Sequence, residues 1–139
     1  LAKVGVFLNV LDNVALLPML AGVPNDTARA SALEILTALD VQHRVHAMPG
    51  QLSGGEQQRV AIARGLINKP PVILADEPTA PLDSVRAMTV IRLLHEMAEK
   101  FQTAIIVVTH DDKIIPTFQR LYHIREGITY EAKGEGRSF

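Results

Sequence analysis

Val72-Ile73-Leu74-Ala75-Asp76-Glu77-Pro78-Thr79 is a short apolar run that stops at two adjacent carboxylates. Pro70 and Pro71 stand before it and Pro78 follows it. An apolar run this short, closed by prolines, predicts a buried strand over residues 72–75. Downstream, residues 83–100 carry Val85, Met88, Ile91, Leu94 and Met97 at helical spacing, and Asp83 can cap the start. Ala104-Ile105-Ile106-Val107-Val108 is a second apolar run and predicts a second buried strand. Strand, helix, strand at this spacing is a right-handed parallel crossover, so the class is α/β. In a parallel sheet the C-terminal ends of the strands share one edge, and ligands bind there. The first strand ends at Asp76-Glu77 and the second at Thr109-His110. Two carboxylates and an imidazole should therefore converge on that edge.

Taken singly, each piece has a plain structural reading. Asp-Glu-Pro after a strand is often only a turn, and a lone histidine is more often structural than catalytic. Their joint placement at strand ends favours chemistry. Adjacent acids at such an edge suit a hard cation that takes oxygen ligands and keeps several waters. One carboxylate would then hold the metal's shell and the other polarise a water.

Upstream of the strand, residues 53–67 form a clear helical pattern, with Val60, Ala63, Leu66 and Ile67 on its apolar stripe. It opens on Leu52-Ser53-Gly54-Gly55-Glu56-Gln57-Gln58-Arg59. Ser53 with Glu56 three residues on reads as a capping box. That leaves Gly54 and Gly55 unexplained, since glycine inside a helix costs about 1 kcal/mol against alanine. Glycines there bare backbone N–H groups at the positive end of the helix dipole, an arrangement suited to phosphate. Glu56 fits such a place only if its side chain turns back to the cap.

The N-terminal part is helix-rich. Leu11, Val14, Ala15 and Leu17 recur at helical spacing, and Asn9, Asp12, Asn13 and Pro18 interrupt the apolar stretch, so a packed helix is expected rather than a membrane span. Residues 22–26 are a turn cluster. Residues 27–39 predict a helix with Ala32, Leu33, Ile35, Leu36 and Leu39 mostly to one side. Residues 43–50 read as irregular, and residues 121–130 as two short strands turning at Glu126-Gly127.

The bulk properties narrow the partners. With 139 residues, 47% hydrophobic and 21% charged, the chain reads as a globular domain with a sizeable core. A net charge of -1 gives no basic surface for nucleic acid. The absence of cysteine excludes disulfides and thiolate metal sites.

At these residues the sequence resembles the ATP-binding cassette (ABC) ATPases. Residues 52–57 look like the family's signature motif, residues 72–79 like its Walker B strand, Leu82-Asp83 like the end of its D-loop, and residues 108–111 like its switch-histidine segment. The four stand in family order at family-like spacings. The resemblance implies a P-loop NTPase-like parallel sheet core, incomplete here, with an N-terminal helical subdomain over residues 1–51. Residues 52–139 would be the signature helix plus the α/β core. It implies ATP as substrate and Mg²⁺ as cofactor. Asp76 would bind Mg²⁺, Glu77 would orient the hydrolytic water, and His110 would contact the γ-phosphate. Ser53, Gly54 and Gly55 would face ATP held by the second ATP-binding subunit of a head-to-tail dimer, with Gln57 near that interface. Asp83 would communicate between the two sites.

Two departures stand out. Pro81 precedes Leu82-Asp83 where the family's D-loop has a less rigid residue. No Gly-x-x-x-x-Gly-Lys-Ser/Thr occurs in the 139 residues, and the first glutamine is Gln42, so the phosphate loop and the glutamine loop have no counterpart. The expectation is a cassette truncated at its N-terminus and inactive alone. The family's missing strand would also leave residues 104–108 as an uncovered apolar edge. Finer features, including Leu11-Asp12-Asn13-Val14 and residues 114–118, resemble bacterial exporter cassettes of the lipoprotein-release, macrolide-export and heterocyst glycolipid-export types. Those imply an integral membrane permease as partner and a peripheral place on the cytoplasmic face of the inner membrane. The alternatives are a non-transport cassette ATPase, or a non-catalytic interaction module that lends its signature face to a complete partner.

Overall fold

Two of the helices start where a side chain satisfies an N–H group of the first turn. In the computed structural model, which describes residues 7–80 and 84–136, α1 spans Val10–Leu20. Asn9 caps it, accepting from the Asp12 N–H at 2.8 Å, while its own amide donates to the Asp12 carboxylate at 2.8 Å. Pro18 falls in the last turn, and Gly22, at φ 89, ends the segment. α2 spans Asn25–Ala38, so the turn before it is shorter than the cluster at 22–26 suggests. α3 spans Gly54–Leu66 with Ser53 as N-cap.

The described residues divide into two compact units. One comprises residues 7–73 with 101–104, and the other residues 74–80, 84–100 and 105–136. The first unit is a packing of α1, α2 and α3. Its core holds Val10, Val14, Ala15, Ala28, Ala32, Leu36, Leu39, Val60, Ala63 and Leu66. Polar links join the helices. Arg29 pairs with Asp12, and Arg59 of α3 donates to the Leu39 carbonyl at 2.9 Å, closing the end of α2 with a positive charge. Leu33, expected on the inward side, is 45% exposed. Ala32, Ile35, Leu36 and Leu39 are buried as expected, and Ala28 joins them.

β1 spans Val72–Asp76 and β2 spans Ala104–Val108. They pair in a two-stranded sheet. Ala104 donates to the Pro71 carbonyl at 2.9 Å at one end and Glu77 to the Val108 carbonyl at 2.8 Å at the other, so the strands run parallel. Between them α4 spans Ser84–Phe101. Its buried stripe is Ala87, Val90, Ile91, Leu94 and Met97. Val85, expected inward, is 78% exposed. At 3.6 residues per turn it lies about 120° around the helix from Ile91, because a strict three-residue step drifts off the face. Asp83, with Pro81 and Leu82, lies outside the described residues.

The expectation of two buried strands is corrected, whereas the exposure of Ile106 and Val108 agrees with the uncovered apolar edge expected at residues 104–108. Val72, Leu74, Ile106 and Val108 are all about half exposed or more, and only Ala75 of β1 is buried. A sheet of two strands has an edge on each strand, so apolar side chains alone do not secure burial. β3, Arg120–Arg125, and β4, Ile128–Lys133, form an antiparallel hairpin in which Arg125 opposes Ile128. Glu126 at φ 50 and Gly127 at φ 78 make its tight turn, as the sequence predicts.

Candidate functional site

Two constellations follow, one in each unit. In the second unit, β1 ends at Asp76, whose side chain lies exposed. The chain then turns at Glu77, which adopts φ 44. A non-glycine residue in this left-handed region costs about 1–2 kcal/mol. The Glu77 N–H bond to Val108 and an Ala80 N–H bond to the Glu77 carbonyl, at 3.3 Å, hold it there. Its carboxylate meets the end of β2. Oε1 lies 2.6 Å from His110 Nδ1, and Thr109 Oγ1 reaches Oε2 at 3.5 Å. The parallel crossover has brought together residues more than thirty positions apart.

The loop after β2 is shaped by its own side chains. The Asp111 N–H donates to Thr109 Oγ1 at 3.1 Å, and the Lys113 N–H to the Asp111 carboxylate at 3.0 Å. Lys113 Nζ donates to Ser84 Oγ at 2.6 Å, tying this loop to the first residue of α4. Sequence reasoning singled out neither Thr109's bond to Glu77 nor Lys113. A lysine near a helix start carries no distinctive signal.

The Glu77 carboxylate raises the pKa of His110, first by hydrogen bonding to it and then by its charge, with Asp111 and Asp112 adding to the effect. A histidine pKa raised in the folded state contributes stability that is complete below the unfolded value near 6.5. That contribution is lost as pH rises through the folded value. His110 is therefore expected to titrate above the ordinary histidine range, and Glu77→Gln to bring it back down. An NMR titration of the imidazole protons checks this. An unmoved His110 would show that the pair does not hold in solution.

In the first unit, the capping box at α3 is complete. The Ser53 N–H donates to Glu56 Oε2 at 2.7 Å, and the Glu56 N–H to Ser53 Oγ at 3.3 Å. Glu56 thus turns back to the cap, as its place beside the glycines requires. The Ser53 backbone bond is the main reason its pKa falls, followed by the Ser53 side chain and, after an opposing effect of burial, by Arg44 and His43. A Cβ added at Gly54 or Gly55 would meet nothing within 4 Å in the chain. The N–H groups of these first two helical residues have no intrahelical acceptor. An open, dipole-positive helix start is suited to a phosphate oxygen. Gln57 Nε2 lies within hydrogen-bond reach of the carbonyls of Leu52, at 3.2 Å, and Pro49, at 3.3 Å, so its amide braces the turn before the signature.

Among the described residues no cluster of three or more His, Cys, Asp or Glu side chains is built to hold a metal ion. That donor set still fits Mg²⁺, which is commonly held by one or two carboxylates together with waters and substrate phosphates. Asp76 offers one exposed carboxylate at the sheet edge. No helix among the described residues is long and apolar enough to cross a membrane.

Comparison with known proteins gives a consistent set of similarities. The family model described as ABC transporter matches residues 4–80. The chain is 43% identical over 126 residues to the lipoprotein-releasing system ATP-binding protein LolD of Idiomarina loihiensis, covering 91% of this chain and 55% of that one. It is 45% identical over 120 residues to the protein of the same name from Hydrogenovibrio crunogenus, covering 86% and 52%. The chain spans about half the length of the curated relatives it matches. An ATP-binding cassette solved as a dimer in a post-hydrolysis state with ADP and Pi matches with a TM-score of 0.73 at 36% identity, over 99% of this chain and 60% of that one. The ADP conformation of another ABC transporter cassette matches with a TM-score of 0.78 at 25% identity, over 92% and 56%.

Proposed function

The chain belongs to the ABC transporter family, and from that premise we propose that it serves as part of an ATP-binding subunit whose ATP hydrolysis drives export through a separate membrane permease. The observation that carries this reading is the meeting of Glu77 and His110 at the parallel strand ends, 2.6 Å apart. In the proposed reaction Glu77 accepts the proton of the water that attacks the γ-phosphate. With Nδ1 taken by Glu77, His110 has Nε2 to offer a γ-phosphate oxygen. Asp76 would hold Mg²⁺, whose charge would offset that of the phosphates. Asp83 is proposed to link the two sites of the dimer.

Ser53, Gly54 and Gly55 are proposed to act on ATP held by a second subunit, in a head-to-tail dimer, with Gln57 beside that interface. The open space over both glycines supports this assignment. Residues 1–51 are proposed to act as the helical subdomain and residues 52–139 as the signature helix and ATPase core. The permease would place the protein peripherally on the cytoplasmic face of the inner membrane. The likeness to lipoprotein-releasing proteins supports a lipid-modified protein as cargo.

The 139 residues contain no Gly-x-x-x-x-Gly-Lys loop, so the chain alone is expected to release no phosphate from ATP. A full-length relative with a working phosphate loop but a disabled signature motif supplies the complement. Mixed with this chain, it is expected to regain phosphate release, because Ser53, Gly54 and Gly55 close on its ATP. The Ser53→Arg chain is expected to restore nothing. Recovery that survives Ser53→Arg would defeat the reading.

A further inference from the structure

We propose that Arg44 is a positioning residue for the signature turn: it holds Glu56 against the helix cap and offsets its charge beside Gly54 and Gly55. This rests on the reading that those glycines face a phosphate.

The need for such a residue comes from Glu56 itself. Its carboxylate sits in the first turn of α3, bonded to the Ser53 N–H. A negative charge there supports the helix but opposes any anion approaching the same N–H groups. Arg44 answers both demands. Its Nε lies 3.2 Å from Glu56 Oε1, an ion pair in which the Nε–H is not aligned for a hydrogen bond, and its Nη2 donates to the Gln51 carbonyl. One guanidinium thus grips the chain on both sides of Ser53. The planar fork of arginine can do this, and the single point charge of lysine cannot. His43 Nε2 lies 3.3 Å from the same carboxylate oxygen, but its side chain is the more exposed of the two.

The grip is built into the fold. Arg44 closes a 3₁₀ turn, Gln42–Arg44, in which its N–H donates to the Val41 carbonyl at 3.0 Å. The Ala47 N–H bonds the Arg44 carbonyl at 2.9 Å. That turn is fastened in turn to α1, since the Val10 and Leu11 N–H groups donate to the carbonyls of Ala47 and Val45, each at 3.0 Å. The guanidinium is therefore presented from a turn that is itself anchored. The geometry links the start of α1, the turn at residues 42–47 and the signature cap through backbone hydrogen bonds, the Arg44 bond to the Gln51 carbonyl and the ion pair with Glu56.

The mixed assay described above tests this. Arg44→Gln is expected to raise the KM for ATP about two- to fivefold, the size of one charge at a helix terminus, with a smaller change in kcat. Arg44→Lys should fall between Arg44→Gln and the parent. Adding Glu56→Gln to Arg44→Gln should recover most of the lost affinity, because the amide still accepts from Ser53 without bringing a charge. A merely structural arginine would not be rescued this way. An unchanged KM, or a double variant no better than the single, overturns the proposal. A parent chain that fails to complement defeats the phosphate reading instead. The positioning claim is then judged by hydrogen exchange at the Ser53 amide, measured by mass spectrometry on the dispersed chain. Exchange should quicken in Arg44→Gln, and unchanged exchange overturns the claim.

Discussion

Glu77→Gln is expected to lower ATP turnover by about 10²–10⁴-fold, the usual worth of a positioned general base. The measurement is phosphate release by a cassette that carries residues 1–139 together with a phosphate loop. Glutamine matches glutamate in size and keeps an oxygen that can accept from His110, so the turn after β1 should persist. What is lost is the capacity to take a proton. ATP binding, followed with a fluorescent nucleotide, should therefore remain. The contrast between lost turnover and kept binding is the discriminating result. Turnover within a fewfold of the parent would remove Glu77 from its proposed role.

Gly55→Asp is expected to separate stability from function in the opposite direction. A side chain at this position meets nothing in the chain, so the fold should accept it. An acidic group in the first turn of α3 should even stabilise the helix, by about 0.3–1 kcal/mol. The thermal midpoint should thus hold or rise. Activity in the mixed assay should nonetheless fall on the order of 10²-fold, as when a transition-state donor is lost. The added carboxylate fills the open space and repels the phosphate proposed to enter it. Gly55→Ala is the companion variant, adding bulk without charge. A stable Gly55→Asp chain that still complements fully would show that the space over Gly55 has no catalytic meaning.

The sequence is most legible where a local rule and a topological rule act together. Ser53 and Glu56 obey the capping-box spacing, and the structure forms both of its bonds. Glu77 and His110 lie far apart in sequence, yet the parallel crossover predicts their meeting, and they meet. Apolar spacing is less informative where an element lacks neighbours. Leu74 and Ile106 sit in apolar runs but lie exposed, because burial depends on what covers a strand. Val85 shows a different limit, since a three-residue rhythm slides around the helix within two turns. Arg44 was hidden for a third reason. It stands in an irregular stretch, and nothing at residue 44 signals that its partner is Glu56. The left-handed backbone of Glu77 is equally silent, because glutamate does not announce a positive φ as glycine would.

That backbone has a consequence for how such a sequence is maintained. Glycine would hold the same turn without the steric cost that Glu77 bears. Selection for folding alone would therefore drift away from glutamate at position 77. The carboxylate's bonds to His110 and Thr109, and the chemistry proposed for it, are what would keep it there. The residue is thus a gauge of purpose: a lineage that abandons the proposed chemistry should relax at this position early, exchanging the pair with His110 for an easier turn.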